Sequence, residues 1–250
     1  MTNAVEPATI RPDTTLAGIV TQHPPLAAAL DELGLDYCCG GTRRLVDACR
    51  EAALDLDDTL AVLERVRAAA PVVVESVPWA DLGLGALTDH IESVHHAFLR
   101  REFPRLSELA ERVESVHGQR HAELAAVRHV FGALVADLEP HLLREEEILF
   151  PLIRELDAAT LSGRRPAGSL HNSIEVLTDD HRRVGNLMAE LRQLTDGYRV
   201  PSDACASYRS LYEGLSAFTA DTHLHVHKEN NVLFPAAVAQ ERHLVEWHDR

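Results

Sequence analysis

The sequence predicts an all-α protein: a four-helix bundle assembled from two helix-hairpin repeats, preceded by a small helical domain. Three observations predict it. The stretch His141-Leu-Leu-Arg-Glu145-Glu-Glu-Ile-Leu-Phe150-Pro151 recurs in outline as His225-Val-His-Lys-Glu229-Asn-Asn-Val-Leu-Phe234-Pro235, with every matched position shifted by 84 residues. Upstream of each copy a histidine opens an apolar stripe at helical spacing, His96 with Leu99, Phe103 and Leu106, and His181 with Val184, Met188 and Leu191. Between residues 71 and 78, Pro71 and Pro78 bracket a valine-rich stretch. Each proline removes a helical hydrogen bond and turns its predecessor away from α, so the domain boundary falls there.

Taken in order, residues 1–12 are polar and contain Pro7 and Pro12, which predicts a disordered lead. Residues 13–70 read as a small helical domain. Its first helix lies near Thr15 to Thr21; the second runs from Pro24 to Gly34, with proline in its first turn and glycine at its end. Tyr37-Cys38-Cys39-Gly40-Gly41 follows, then a helix over Arg43–Ala53 capped by Thr42, and one from Asp57 or Asp58 to about Ala69. After the linker at 71–78, the bundle occupies 79–250. Its helices are expected over 82–116, 119–156, 171–195 and 202–239, with irregularities at Pro104, Pro140 and Pro151. Residues 157–170 are the crossover, and the last ten form a polar tail.

Composition narrows the function. Twenty-four basic against 39 acidic side chains give a formal charge of −15, which repels phosphate backbones and anionic lipid and argues against nucleic-acid or membrane partners. The N-terminus has no basic start and apolar core, and no apolar run approaches a membrane span. A cytoplasmic protein is expected. Four cysteines, two of them adjacent, do not resemble a secreted disulfide framework.

The repeat selects a metal site. Four residues make slightly more than one helical turn, so in each His-x-x-x-Glu the imidazole and carboxylate share a face within reach of one ion. Two such half-sites, with His96 and His181 on inward stripes, imply a two-metal centre whose ligands are His96, His141, Glu145, His181, His225 and Glu229. His90, His95, His223 and His227 flank the site without matching the repeat, and Asn230 and Asn231 stand where the first copy has Glu146 and Glu147. The remaining histidines, His23, His117, His121, His129, His171, His243 and His248, read as ordinary core or surface residues. Imidazole and carboxylate without thiolate suit di-iron or di-manganese rather than structural zinc. Positions left open on the ions admit oxygen, hydroxide or nitric oxide.

With both motifs in hand, the chain resembles the iron–sulfur cluster repair di-iron proteins of bacteria, a family with a hemerythrin-like domain and an N-terminal Cys-Cys-Gly-Gly domain. The resemblance implies two iron ions, oxo- or hydroxo-bridged, with Glu145 and Glu229 as bridging ligands. It implies a cytoplasmic homodimer that helps restore damaged iron–sulfur proteins after nitrosative or oxidative stress, with nitric oxide or oxygen as small ligands. Asp137 and Asp180 fall where this family carries acidic groups near the metal access route, usually glutamates. Cys38 and Cys39 suit thiol transfer of iron or a nitrosyl group; the alternative is a small buried turn. Adjacent cysteines rarely form a relaxed disulfide, because their Cα atoms stand too close. Cys49 and Cys205 are expected in the core. Iron supply to damaged clusters, nitric oxide reduction and sensing remain alternatives at this point, the first being more a repair factor than an enzyme.

Overall fold

The computed structural model describes residues 10–69, 79–162 and 170–248. The chain folds as two compact units, Met1–Ser76 and Val77–Arg250. The expected linker at 71–78 and most of the expected lead lie outside the described residues. None of the described helices is long and apolar enough to cross a membrane.

In the N-terminal unit, helix α1 (Leu16–Gln22) starts where Thr15 Oγ1 accepts the Gly18 N–H at 3.1 Å. A 3₁₀ turn at Pro24–Leu26 leads into α2 (Ala27–Glu32), and Gly34, at φ +69°, turns the chain out of it. Two expectations on caps are corrected. Helix α3 (Leu45–Glu51) begins three residues after Thr42, because the strip before it lies along residues 14–17: Leu16 N–H donates to Arg43 O and Leu45 N–H to Thr14 O, both at 2.9 Å. Helix α4 (Leu56–Ala69) is capped by Asp55, whose Oδ1 accepts the Asp58 N–H at 2.9 Å, rather than by Asp57 or Asp58. The lead also ends sooner than expected. Ile10 is buried with its N–H on Glu64 Oε1 at 3.0 Å, and Pro12 O accepts the Val46 N–H. Cys49 is buried, as expected.

In the second unit a 3₁₀ turn at Trp79–Asp81 precedes α5 (Leu84–Ile91), a π-helical turn at Glu92–His96 and α6 (Ala97–His117). Next come α7 (Glu123–Arg144), a π turn at Glu145–Leu149 and α8 (Phe150–Ser162). Then α9 (His171–Leu194) is unbroken, and α10 (Ala206–Lys228) continues through a π turn at Glu229–Leu233 into α11 (Phe234–His248). These make four long rods. The second rod therefore runs past Leu156, burying Ala159, and the fourth runs past Ala239, burying Leu244, so the expected polar tail is helical to His248. The fourth begins at Ala206 rather than Ser202. Cys205, expected in the core, is exposed: it stands at the N-cap, in extended backbone outside the helix's apolar face.

Pro104 and Pro140 sit inside regular helices, and the irregularity lies instead in the π turns. Phe150 N–H donates to Glu145 O and Phe234 N–H to Glu229 O, each five residues back. Pro151 and Pro235 follow directly, where the widened turn accommodates residues that lack an N–H. Helix α6 packs on α7 and α10, α7 on α9, and α8 on α5 and α11. Two apolar clusters result. One contains Leu99, Phe103, Leu138, Val184 and Phe218; the other contains Ile91, Leu149, Phe150, Leu177 and Phe234. Along every rod the proposed ligands fall between these clusters, which encloses a polar layer in apolar packing.

Candidate metal centre

All six residues selected by the repeat are buried in that layer, with 0% or 1% of their surface exposed. They form two overlapping groups able to hold a metal ion, His96, Glu145, His225, Glu229 and His141, Glu145, His181, Glu229, with the donor atoms of each within 4.8 Å of one another. His96 Nε2 lies 3.2 Å from His225 Nε2, and His181 Nε2 lies 3.1 Å from His141 Nε2. Two nitrogens each about 2.1 Å from one ion, at a right angle, stand about 3.0 Å apart, so both pairs match a shared ion.

The two carboxylates link the pairs. Glu145 Oε2 is 3.4 Å from His96 Nε2 and its Oε1 is 3.3 Å from His141 Nε2. Glu229 Oε1 is 2.9 Å from His225 Nε2 and its Oε2 is 3.2 Å from His181 Nε2. Each carboxylate thus aims one oxygen at each histidine pair. Both Glu145 oxygens and Glu229 Oε2 make no hydrogen bond, and an ionised carboxylate buried in this way costs several kcal/mol unless a cation neutralises it. Burial pushes the Glu145 carboxyl up, yet the neighbouring imidazoles of His141 and His96 hold it well below the usual range. Burial likewise opposes protonation of His141, but Glu145 and Asp180 outweigh it and carry the imidazole to about 10. Two buried carboxylates are thus held ionised among four imidazoles, a donor set that a cation can neutralise in place of protons.

Other residues aim the proposed ligands. His96 Nδ1 meets Glu146 Oε1 at 2.7 Å, and Arg100 clamps both Glu146 oxygens at 2.7 Å. His181 Nδ1 meets Asn230 Oδ1 at 2.9 Å, and His141 Nδ1 faces Asp180 Oδ2 at 3.4 Å. An N–H on each Nδ1 leaves Nε2 as the lone-pair donor toward the centre. Glu146 and Asn230 occupy the same repeat position, one after the glutamate shared by both groups, so the register that set Glu146 aside as a ligand also placed a supporting acceptor in both copies. Asp180 is also held by Arg144 and Arg183, while Asp137 pairs with Arg183 at 3.8 Å. The phenylalanines of the repeat have a matching role: Phe150 stacks on His96 and Phe234 on His181, with centroids 5.6 and 6.0 Å apart. Each comes from the other rod of its hairpin.

His95 joins neither group, but it is not a bystander. It is buried and stacked on His225, its Nδ1 is 3.0 Å from Asp221 Oδ1, and its Nε2 is 2.8 Å from Lys228 Nζ. Burial and then the Lys228 charge depress it to about 3, so the neutral ring donates through Nδ1 and accepts the ammonium at Nε2. Lys228 also reaches His90 Nε2 at 2.8 Å. His227 is buried against the edge of Trp79. In the other unit Cys38 is buried and Cys39 exposed, with no disulfide between them.

This arrangement of paired histidines and shared glutamates in a four-rod bundle corresponds to a known sequence pattern, that of the Hemerythrin HHE cation binding domain, which matches residues 87–237. The chain belongs to the hemerythrin HHE family. A second pattern, a domain of unknown function (DUF542), matches residues 12–67. Among curated proteins, the chain is 33% identical over 227 residues to the iron-sulfur cluster repair protein YtfE of Yersinia pseudotuberculosis (strain PB1/+), covering 91% of this chain and 97% of that one. It is 31% identical over 230 residues to the protein of the same name from Dickeya chrysanthemi (strain Ech1591), covering 92% and 98%. The hemerythrin HHE pattern spans all six residues and all three π turns, so the metal-competent layer lies wholly within the family domain.

Proposed function

We propose that this protein helps repair iron–sulfur clusters damaged by nitrosative or oxidative stress, supplying or exchanging iron from a non-haem di-iron centre with an oxo or hydroxo bridge. One observation carries the di-iron reading: Glu145 and Glu229 each present one oxygen to each histidine pair. His96 and His225 would hold one iron, His141 and His181 the other, and the two glutamates would bridge them. Bound iron supplies redox chemistry and positions for small ligands. The chain's own residues orient the imidazoles through Glu146, Asn230 and Asp180, and Phe150 and Phe234 keep water from the ligand rings. The clients are damaged iron–sulfur proteins, in keeping with the name carried by the relatives. The protein works in the cytoplasm as a homodimer, and sedimentation should give twice the chain mass.

Cys38 and Cys39 are assigned to passing iron or a nitrosyl group to the client. The test is reactivation of an inactivated iron–sulfur enzyme at equal iron loading. Wild type should restore activity and the double variant Cys38→Ser with Cys39→Ser should restore much less while keeping the bundle's iron; Glu145→Ala, which cannot be loaded equally, should fail outright. Equal reactivation by the double variant would return the motif to a structural turn. A second reading rests on the donor count. Two histidines and two shared glutamates at each group leave coordination positions open on an iron, which suits nitric oxide reduction or sensing of nitric oxide or oxygen. Steady nitric oxide turnover under anaerobic, reducing conditions without reactivation of client would favour it.

A further inference from the structure

The loop from Asp36 to Gly41 brings together three donors that the bundle does not use. Asp36 Oδ1 accepts the N–H groups of Cys38 at 3.1 Å and Cys39 at 2.9 Å, and lies 3.2 Å from Cys38 Sγ. The two sulfurs are 3.8 Å apart. One donor atom from each of Asp36, Cys38 and Cys39 falls within a 4.8 Å cluster.

The sulfur–sulfur spacing matches a single tetrahedral ion, and the carboxylate oxygen stands near enough to complete its donor set. Two thiolates each about 2.3 Å from one ion, at a tetrahedral angle, stand about 3.8 Å apart, and a carboxylate oxygen at about 2.0 Å would lie roughly 3.5 Å from either sulfur. The loop is held in this shape from several sides. Tyr37 is buried and donates its hydroxyl to Asp31 at 3.3 Å; Gly41 O accepts the Ala17 N–H at 2.9 Å; Arg43 Nε donates to Gly40 O at 3.3 Å. A side chain at Gly40 would collide with the Arg43 guanidinium, so the glycine lets that cation approach the loop. Arg43 also stands 3.8 Å from Asp36 Oδ2. Burial raises the Asp36 carboxyl, but its bonds from Cys39, Cys38 and Gly40 hold it below the ordinary range, so it is anionic at neutral pH.

We propose that Asp36, Cys38 and Cys39 form a second metal site, an S₂O claw that takes one thiophilic divalent cation of the ferrous or zinc class and keeps its fourth position open. Binding forms two metal–sulfur bonds and one metal–oxygen bond, and the two thiol protons leave to solvent. Cys38 lies in the interior while Cys39 and Asp36 are exposed, so the ion sits at the surface of the unit, where a partner's ligand can enter the fourth position. The assignment stands on the N-terminal unit alone and does not depend on iron in the bundle.

Cadmium is the probe, added to the iron-loaded full chain in anaerobic buffer without thiol reductant, because its ultraviolet thiolate charge-transfer band reads cysteine ligation and ignores histidine and glutamate. Wild type and Cys205→Ser should develop the band to one cadmium per chain, and Cys38→Ser and Cys39→Ser should each lose it. Asp36→Asn keeps an oxygen for the two N–H groups and so preserves the turn; it should weaken cadmium binding about tenfold or more. A band that survives in both serine variants overturns the site, as does wild-type affinity in Asp36→Asn. Iron is counted separately, so a chain without iron that still gives the band supports the claw while sinking the di-iron reading.

Discussion

At the scale of single residues, the centre is ordered in tiers that differ in what a substitution should do. Glu145→Ala and Glu229→Ala each remove one oxygen from both metal groups, and iron analysis should show both irons disturbed rather than one. Glu147 is exposed, and Glu147→Ala should leave two irons per chain; equal iron loss from it would refute the register. Glu146 differs from both. It orients His96, so Glu146→Ala should keep the fold and loosen iron by roughly tenfold or more, seen as faster loss to a chelator. Proton release gives an independent check. The metal-free His141 imidazole is raised to about 10, so it carries a proton at pH 7 that iron must displace. Ferrous iron added to metal-free protein at pH 7 in weak buffer should therefore acidify the solution, and affinity should fall as pH is lowered. Measured on Cys38→Ser with Cys39→Ser, so that thiol protons do not contribute, the absence of acidification would overturn displacement of the His141 proton.

At the scale of the element, the π turns set which face the second half of three of the four rods presents. A π turn carries one residue more than the α-helical path it replaces, so removing one rotates everything beyond it by about 100°. Ile148 is 51% exposed within the turn at Glu145–Leu149 and contributes little to packing. Deleting it should restore a plain α-helix, swing Phe150 off His96 and turn Ile153 and Leu156 out of the core. Several buried side chains at about 1.5–3 kcal/mol each are then at stake, and the melting temperature should fall well beyond what loss of an exposed residue causes. An unchanged melting curve would show that the π geometry is incidental. The symmetry between hairpins is incomplete: His96 ends a π turn, whereas His181 lies in the unbroken α9.

At the scale of the whole molecule, all six proposed ligands and the residues that aim them lie in the second unit. Residues 79–250 expressed alone should therefore retain two irons and the spectrum of the full chain. A truncated protein that folds without iron would break the assignment. The acidic balance, a formal −15, bears on association rather than on the centre, whose charge is screened from solvent by the apolar clusters on either side.

How much of this was legible without coordinates follows from what each feature depends on. That the six proposed ligands gather in one layer was legible because a His-x-x-x-Glu pair is a local property of a helix, and its recurrence 84 residues later, with Phe150 and Phe234 in register, marks it as one arrangement built twice. The bundle followed from the apolar stripes beside His96 and His181, and the small domain from the prolines at 71 and 78. What the sequence left open depends on contacts between rods or on backbone hydrogen bonds. That Glu146 holds His96 and Asn230 holds His181 requires partners 50 and 49 residues away to meet, which no spacing within one helix reveals. The π turns, the length of α11 and the exposure of Cys205 were decided likewise, because a proline or a polar run signals local preference while packing of Leu244 or Phe150 against another rod overrides it. Composition and periodicity determined the chemistry this chain carries; tertiary packing decided how each donor is aimed, because aim depends on atoms brought together from distant parts of the chain.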